Sequence, residues 1–517
     1  MERPRTFAGR RISIKDLIDD GADLAAQLAK VAQLQGEETV KALRNLIRPT
    51  LVVCSPGARC PHTGLKLQDI WRYFRLTWSL EYRPTPGRTL QILIRNEARP
   101  NSPIIGIAML ASPCSRLKIR DEWIGWTVES LTNRIKAGTW QPEQVALSLF
   151  SILNKAIGDI RSDDLVSEEE LDHPTTETVR RLRAVAKQAH ETRLRLMRAN
   201  EGSIHERVSA CSDEFWLSAS AQPLFLKKRA GTLASLLAAK ALFLAAGIES
   251  DPSKALLSLL DSARGRSAVE TVLVEIRKNG LASGLLDVSV CGAVPPYNEL
   301  IGGKLVALLL ASREMQEEYQ ARYAAQVSLI ASQLAGRPIT RPARILVLTT
   351  TSLYGVGSSQ YNRLVLRPSD HPQLGSAVCW HELGVTSGYG TTHLSRWTVE
   401  SLTHLSRRVY GVRRINNIFG EGTSPRLRQI REGLEALGVD PDTILRHETP
   451  RIVYACEPVP RGREQLLGQP EAAPSVLPTV AEISEAWCRR WLINRIRRHD
   501  VLARIARRGK ELHEVTS

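Results

Sequence analysis

Apolar positions recur at helical spacing near the start of the chain: Leu24, Leu28, Val31 and Leu34, then Val40, Leu43 and Ile47, with polar faces between them. That period turns one side of each helical turn inward, so Ile12 to Ile47 is predicted as helix and residues 1–60 as an N-terminal helical segment. After CSPGARCPHTG the pattern shifts to an aromatic helix end, Ile70-Trp71-Arg72-Tyr73-Phe74, and then to strand-like stretches at Thr89–Ile94 and Pro103–Leu110. The polar turn material from Asn96 to Ser102 separates those two, so residues 61–115 read as two paired strands behind a helix.

Between Arg116 and Gly280 nearly every window has helical character, which predicts a helical insertion over 116–280. It contains an acidic stretch, Ser167 to Asp172, and an Arg-rich helix from Thr178 to Asn200 with few apolar residues, expected to be exposed. Strand signals return at Leu285–Ala293, pass through Val294-Pro295-Pro296-Tyr297-Asn298 into an apolar helix at Leu300–Ala311, and resume at Ile345–Thr350. Strand, helix, strand requires a parallel pair, so residues 281–370 form the second half of an α/β core. Residues 371–468 extend that core with a Gly, Thr and His-rich segment, a helix opening at Ser424-Pro425 and a strand at Arg451–Cys456. A Pro and Ala linker, Gln469 to Thr479, leads to a basic terminal helix from Ala486 to Lys510, so residues 469–517 stand apart. The predicted fold class is α/β (α+β): a mixed sheet with a large inserted helical domain and helical additions at both ends.

Length and charge sharpen this picture. With 517 residues, 43% hydrophobic and 24% charged, the chain is too long for one core and too apolar for wholesale disorder. The longest apolar run, Ala230 to Gly247, is interrupted by Lys240 and rich in Ala, so it reads as a buried helix rather than a membrane span. The start, MERPRTFAGRR, lacks an apolar stretch and a cleavage site, which predicts a cytoplasmic protein with no membrane partner. Eight scattered Cys without CxxC units fit reduced thiols there. Cys54, Cys60 and His62, with Cys379 and His381, lack the short spacing of a zinc site, so no metal is expected.

Seventy Lys and Arg against 54 Asp and Glu leave a net charge of +16. The excess is clustered. Arg407, Arg408, Arg413 and Arg414 precede the helix that opens at Pro425, and Arg426, Arg428 and Arg431 crowd that helix's first half, where the macrodipole disfavours cations. The terminal helix adds Arg489, Arg490, Arg495, Arg497 and Arg498, interleaved with Trp487, Trp491, Leu492 and Ile496. Clustered arginines point to DNA or RNA as a partner, with protein or intramolecular docking an equal alternative for the terminal helix.

Two stretches carry candidate chemistry. Gly302 and Gly303 open a helix directly after a strand, with Asn298 in the preceding turn and Lys304 following, so free N–H groups there are candidates to cradle a pyrophosphate. Leu305 stands where a Walker A loop needs Ser or Thr, which excludes that motif. The loop Thr349-Thr-Thr-Ser-Leu-Tyr-Gly-Val-Gly-Ser-Ser-Gln-Tyr-Asn-Arg363 leaves a strand end and gathers Tyr354, Tyr361 and Asn362. It has no Gly-x-Ser-x-Gly elbow, so Tyr354, Tyr361 and Asn362, with His393 after Gly388-Tyr-Gly-Thr-Thr, are the catalytic candidates. The alternative to each is packing: glycines that let a helix approach a strand, and a capped polar turn.

The strand, Gly-bearing turn and apolar helix, set between two paired strands and a further strand, resemble the core order of GNAT acyltransferases, although Ile301 stands where that family's coenzyme A loop has a Gly. The strings VCGAVPPYNELIGGKLVALL, TTTSLYGVGSSQYNRL, TSGYGTTHLS and IFGEGTSPRLRQIREGLEALG, with PIIGIAML and DEWIGW upstream, resemble the family that supplies component A of the Druantia anti-phage defence system. That resemblance covers Gln68 to Trp126 and Leu285 to Gly468 and implies bacterial antiviral defence beside a helicase-type partner. It assigns no catalytic residue and no cofactor. The alternatives are a coenzyme A-dependent acyltransferase, with Tyr354 or Tyr361 protonating the leaving thiolate, and a non-catalytic structural adaptor.

Overall fold

The computed structural model describes residues 3–78, 87–198, 212–352, 357, 360–391, 393–411, 425–447, 449–471 and 476–514. A short hairpin, β1 (Arg5–Phe7) and β2 (Arg10–Ile12), leads to α1 (Gly21–Val31), α2 (Gly36–Leu46) and β3 (Pro49–Val53). Next come α3 (Leu67–Leu76), β4 (Thr89–Asn96) and β5 (Ile104–Ala111). Among the described residues nine helices then intervene: α4 (Lys118–Ile124), α5 (Val128–Lys136), α6 (Pro142–Gly158), α7 (Glu168–Asp172), α8 (Thr176–Arg198), α9 (Asp213–Ala221), α10 (Pro223–Ala245), α11 (Pro252–Asp261) and α12 (Ala263–Gly280). The chain re-enters the sheet with β6 (Leu285–Ala293), followed by α13 (Gly302–Leu309), α14 (Arg313–Tyr323), α15 (Leu329–Ala335) and β7 (Val347–Thr351). The last part holds β8 (Val365–Leu366), β9 (Val378–Val385), α16 (Arg396–Tyr410), α17 (Pro425–Ala436), α18 (Pro441–Leu445), β10 (Ile452–Cys456) and α19 (Gly462–Leu466). It ends with α20 (Val480–Trp487), a π-helical turn at Cys488–Leu492, α21 (Ile493–Ile496) and α22 (His499–Glu514).

Eight strands form one mixed sheet in the order β3-β4-β5-β6-β7-β10-β9-β8. Every neighbouring pair is antiparallel except β6 and β7, which the strand-helix-strand pattern requires to be parallel. Alternation along β4 sends Leu90, Ile92 and Ile94 to one face and Leu93 to the other. The first face packs against α1, α2, α13 and the terminal helices, with Leu24, Leu43, Leu305, Trp487 and Ile505 in its core. The second is covered by α3, where Trp71 donates from Nε1 to the Ala108 carbonyl at 2.9 Å, and by the helical insertion, which closes on Leu285 and Val347. Because both faces are covered, β5 is buried along its whole length and its sequence IIGIAMLA carries no polar side chain.

Three sequence expectations are corrected. Pro49–Val53 lies inside the segment assigned to helix, yet it is one of the two edge strands of the sheet, paired with β4 with Val53 opposite Ile92. The Arg-rich helix of the insertion is not free on all sides, since Val179, Leu182 and Ala189 of α8 are buried on the α10 side. The terminal helix begins earlier, under a Thr479–Glu482 capping box, and is broken after α21 rather than continuous. Among the described residues no helix is long and apolar enough to cross a membrane.

Candidate functional site

The parallel pair is short. Leu285, Leu286 and Asp287 pair with Val347, Leu348 and Thr349, after which β6 continues beside β5 and β7 beside β10. The C-terminal ends of the two strands therefore part into a fork, the place where α/β sheets offer a crevice for ligands. A register shift sets Met109 opposite Val290 and Leu110 opposite Val288, so Ser289 is the extra residue of a bulge, and it is the one fully exposed residue of β6.

Asp287 stands at the apex of this fork, partly open to solvent, and accepts a hydrogen bond from Thr349 Oγ1 at 3.3 Å. Burial pushes its carboxyl up to about 6, against the opposing pull of Arg120 and of the Thr349 hydrogen bond. Arg120 is fully buried and donates to Asp121 Oδ1 from Nε at 2.8 Å and from Nη2 at 2.6 Å, and to the Cys114 carbonyl at 2.9 Å. Arg277 lies 3.8 Å from the other Asp121 oxygen. Asp163, Asp164 and Asp442 move the other way, each held down by a hydrogen-bonded Arg. Asp287 thus lacks the signature of an ordinary ion pair and has that of a carboxyl kept in an apolar wall at a cost to the fold. Sequence reasoning missed it, although an acid inside the apolar run LLDVSV was a visible signal.

The loop beyond β7 places its candidates differently from one another. Tyr354 lies outside the described residues. Tyr361 is buried, with its ring 5.2 Å from Tyr454 and 4.9 Å from Trp380, and burial raises its phenol well above the usual value. Asn362 is exposed, and its Oδ1 accepts from the Tyr454 hydroxyl at 3.1 Å. His393 is also exposed, some distance along the chain, with its ring 4.9 Å from that of His447.

The same loop covers the first turn of α13. Lys304 Nζ donates to the carbonyls of Asn362 at 2.9 Å and Gln360 at 3.3 Å, while Gln360 Nε2 donates to Cys291 Sγ at 2.9 Å. A Cβ on Gly302 would come within 2.8 Å of both the Ala293 Cβ and the Tyr297 carbonyl, and one on Gly303 within 3.2 Å of Gln360 Oε1. Glycine is required at 302 by close packing onto the strand. Asn298 Oδ1 is buried with no hydrogen-bond partner among the described residues. Burial lowers Lys304 to about 8, with Arg490 and Arg363 nearby.

The arginines divide into engaged and outward-facing groups. Arg489 binds Glu37 and Glu485, Arg490 donates to the Val365 carbonyl and stacks on Trp491, Arg495 donates to the Glu299 carbonyl at 2.8 Å, and Arg498 pairs with Asp500 at 3.0 Å. The contacts of Arg489, Arg490 and Arg495 with Glu37, Val365 and Glu299 dock the terminal segment on the rest of the fold, Arg498 is matched locally by Asp500, and only Arg497 of that set is exposed with no acid partner among the described residues. Arg431 donates to Asp442 at 2.7 Å and to the Tyr389 hydroxyl at 2.6 Å. Arg413 and Arg414 lie outside the described residues; Arg426 is exposed and Arg428 half-buried on α17.

On the neighbouring helix α16 the exposed face carries Trp397, Ser401, His404, Arg407 and Arg408. Trp397 is 76% exposed. Arg407 and Arg408 make no ion pair among the described residues. The hairpin of α16 and α17 has a small core of its own, Val399, Leu402, Ile430, Leu434 and Leu445. Sequence reasoning finds the arginines here and misses Trp397 and His404, because α16 falls in what reads as a Gly, Thr and His-rich stretch. The Cys54–Cys60 pair and Cys379 with His381 belong to β3 and β9 neighbourhoods with five strands between them, so they do not converge on an ion.

Residues 36–153 and 266–468 match the family model described as Druantia protein DruA. The chain belongs to the DruA family. The matched segments of this DruA-family chain contain the fork, α13 and the α16–α17 hairpin, and omit the outer helices α7 to α11 and the terminal segment. A Druantia protein DruA from Escherichia coli (strain UMEA 4076-1) is 32% identical over 212 residues, which is 41% of this chain and 48% of that protein. The chain thus matches about half the length of this curated relative. No solved structure matches.

Proposed function

We propose that this DruA-family chain is a cytoplasmic component of a bacterial anti-phage defence system that associates with nucleic acid and with a helicase-type protein. Family membership supports the defence role, and the single observation that supports nucleic acid is the pair Arg407 and Arg408, exposed on α16 with no acid partner among the described residues. An Arg pair left unneutralised on a chain of net charge +16 suits phosphates, which release counterions on binding. The terminal arginines support this role less, because most of them hold α20 to α22 in place. Fluorescence polarisation with labelled DNA and RNA tests the proposal: affinity should fall by orders of magnitude between about 50 and 200 mM salt. Binding that is absent at the lower salt, or flat across the range, refutes it.

An acyltransferase is the second reading, favoured by the fork, its bulge at Ser289 and the partly exposed Asp287. Against it, Gln360 covers Gly303 where a pyrophosphate would sit. Calorimetry with acetyl-CoA decides, and no heat of binding removes it.

A further inference from the structure

We infer that the exposed face of α16 is a binding site for single-stranded nucleic acid, with Trp397 as a stacking platform and Arg408 as a phosphate contact. The inference rests on the nucleic-acid reading above and narrows it. Trp397, Ser401, His404 and Arg408 occupy positions i, i+4, i+7 and i+11, so they line one side of the helix over about 16 Å. All four are exposed.

A single exposed apolar side chain needs no explanation, but a ring left 76% open is a large cost to place on a helix whose other face already has a complete small core. Val409 near the end of α16 is also uncovered, at 53%, as are Val385 and Tyr389 in the chain before it, at 53% and 41%.

Charge selects the occupant. Glu400, the single acid of α16, is paired with Arg396 at 2.8 Å, which leaves Arg407 and Arg408 to set the sign of this helix. A ridge with an indole at one end, an imidazole in the middle and guanidinium groups at the other suits a polyanion that offers flat apolar faces. Unpaired bases offer those faces, whereas in a duplex they are stacked on one another and only base edges and phosphates are presented. An indole on a convex helix surface gains little from a duplex backbone and much from a splayed base.

The test compares fluorescein-labelled single strands and duplexes of the same sequence, about 20 nucleotides long so that the footprint fits, using wild type, Trp397→Ala, Trp397→Phe and Arg408→Ala. The single strand should bind more tightly than the duplex. Trp397→Ala should weaken single-strand binding roughly ten-fold or more without changing its salt slope, and Trp397→Phe should recover most of that loss. Arg408→Ala should instead flatten the slope. Duplex bound as tightly as single strand, or single-strand affinity unchanged in Trp397→Ala with a native circular dichroism spectrum, overturns the inference while leaving nucleic-acid association standing. An absence of salt-dependent binding to either form overturns both.

Discussion

Thr349 and Asp287 meet across the last rung of the parallel pair, where the Thr349 hydroxyl donates to a carboxyl that burial holds near 6. Beyond that rung the backbone pairing stops and the Thr350 hydroxyl reaches across to the Val288 carbonyl at 2.9 Å, so Asp287 and Thr349 mark the apex of the fork. The raised value has a stability consequence. A carboxyl raised from 3.8 to about 6 contributes stability that is fully present below the unfolded value and is lost as pH rises through the folded one.

Asp287→Asn should therefore be more stable than wild type at neutral pH, by up to about 3 kcal/mol. The difference should shrink as pH falls through about 6 and approach zero only below about pH 3, where Asp287 is protonated in both the folded and the unfolded state. Urea denaturation across that range checks it. Equal stability at every pH would mean that Arg120 balances the carboxylate, and the group would then be an ordinary buried ion pair.

Tyr361 and Asn362 are adjacent in sequence, yet the fold treats them differently. Tyr361 is buried, stacked between Tyr454 and Trp380, and its hydroxyl interacts with Cys291 and Thr350, so Tyr361→Phe should cost about 1 kcal/mol. Tyr361→Ala should cost about 3 to 5 kcal/mol. Asn362→Ala, at an exposed position, should stay within about 0.5 kcal/mol. Thermal and urea melts of the single variants separate the two residues, and equal losses would refute this division.

The terminal segment should behave as part of the core. Ile505 of α22 is fully buried in the cluster that includes Leu24 and Leu28 of α1. Ile505→Ala should therefore destabilise the whole protein by about 2 to 5 kcal/mol, whereas Arg497→Ala, at an exposed position, should be close to neutral. An Ile505→Ala variant as stable as wild type would show that α22 is a loosely attached arm.

These outcomes bear on what the sequence could show. Strands β4, β5, β6, β7 and β10 were legible because each is a run of β-branched and apolar residues bounded by turn material, and the parallel pair followed from the helix between β6 and β7. Strand β9 was not legible, since VCWHELGV carries His381 and Glu382 at exposed positions near the sheet's edge. Pro49–Val53 merges with the helical period before it, because five residues are too few to establish a period of two. At the site the limits are sharper. Sequence marks Tyr361 and Lys304 as polar groups but does not say that one is buried and the other clamps a loop. Nor does it distinguish Arg489, engaged by two glutamates, from Arg408, which faces outward, since that difference depends on Glu37 from a distant helix.

That distinction between arginines leads to a measurement on nucleic-acid binding itself. Each phosphate that the protein no longer neutralises removes about 0.7 from the slope of log affinity against log salt for a single strand and about 0.9 for a duplex. Replacing Arg407 and Arg408 together with Ala should therefore flatten the slope by about 1.4 on single strands. Replacing Arg489 and Arg498, whose charges are already matched by Glu37, Glu485 and Asp500, should leave the slope near its wild-type value. Both pairs remove two positive charges, so a general loss of net charge would affect them equally. A flatter slope confined to the α16 pair identifies that helix as the phosphate-binding surface. Equal flattening by both pairs would show that the terminal helix leaves its docked position to bind, and flattening by the terminal pair alone would move the interface away from α16.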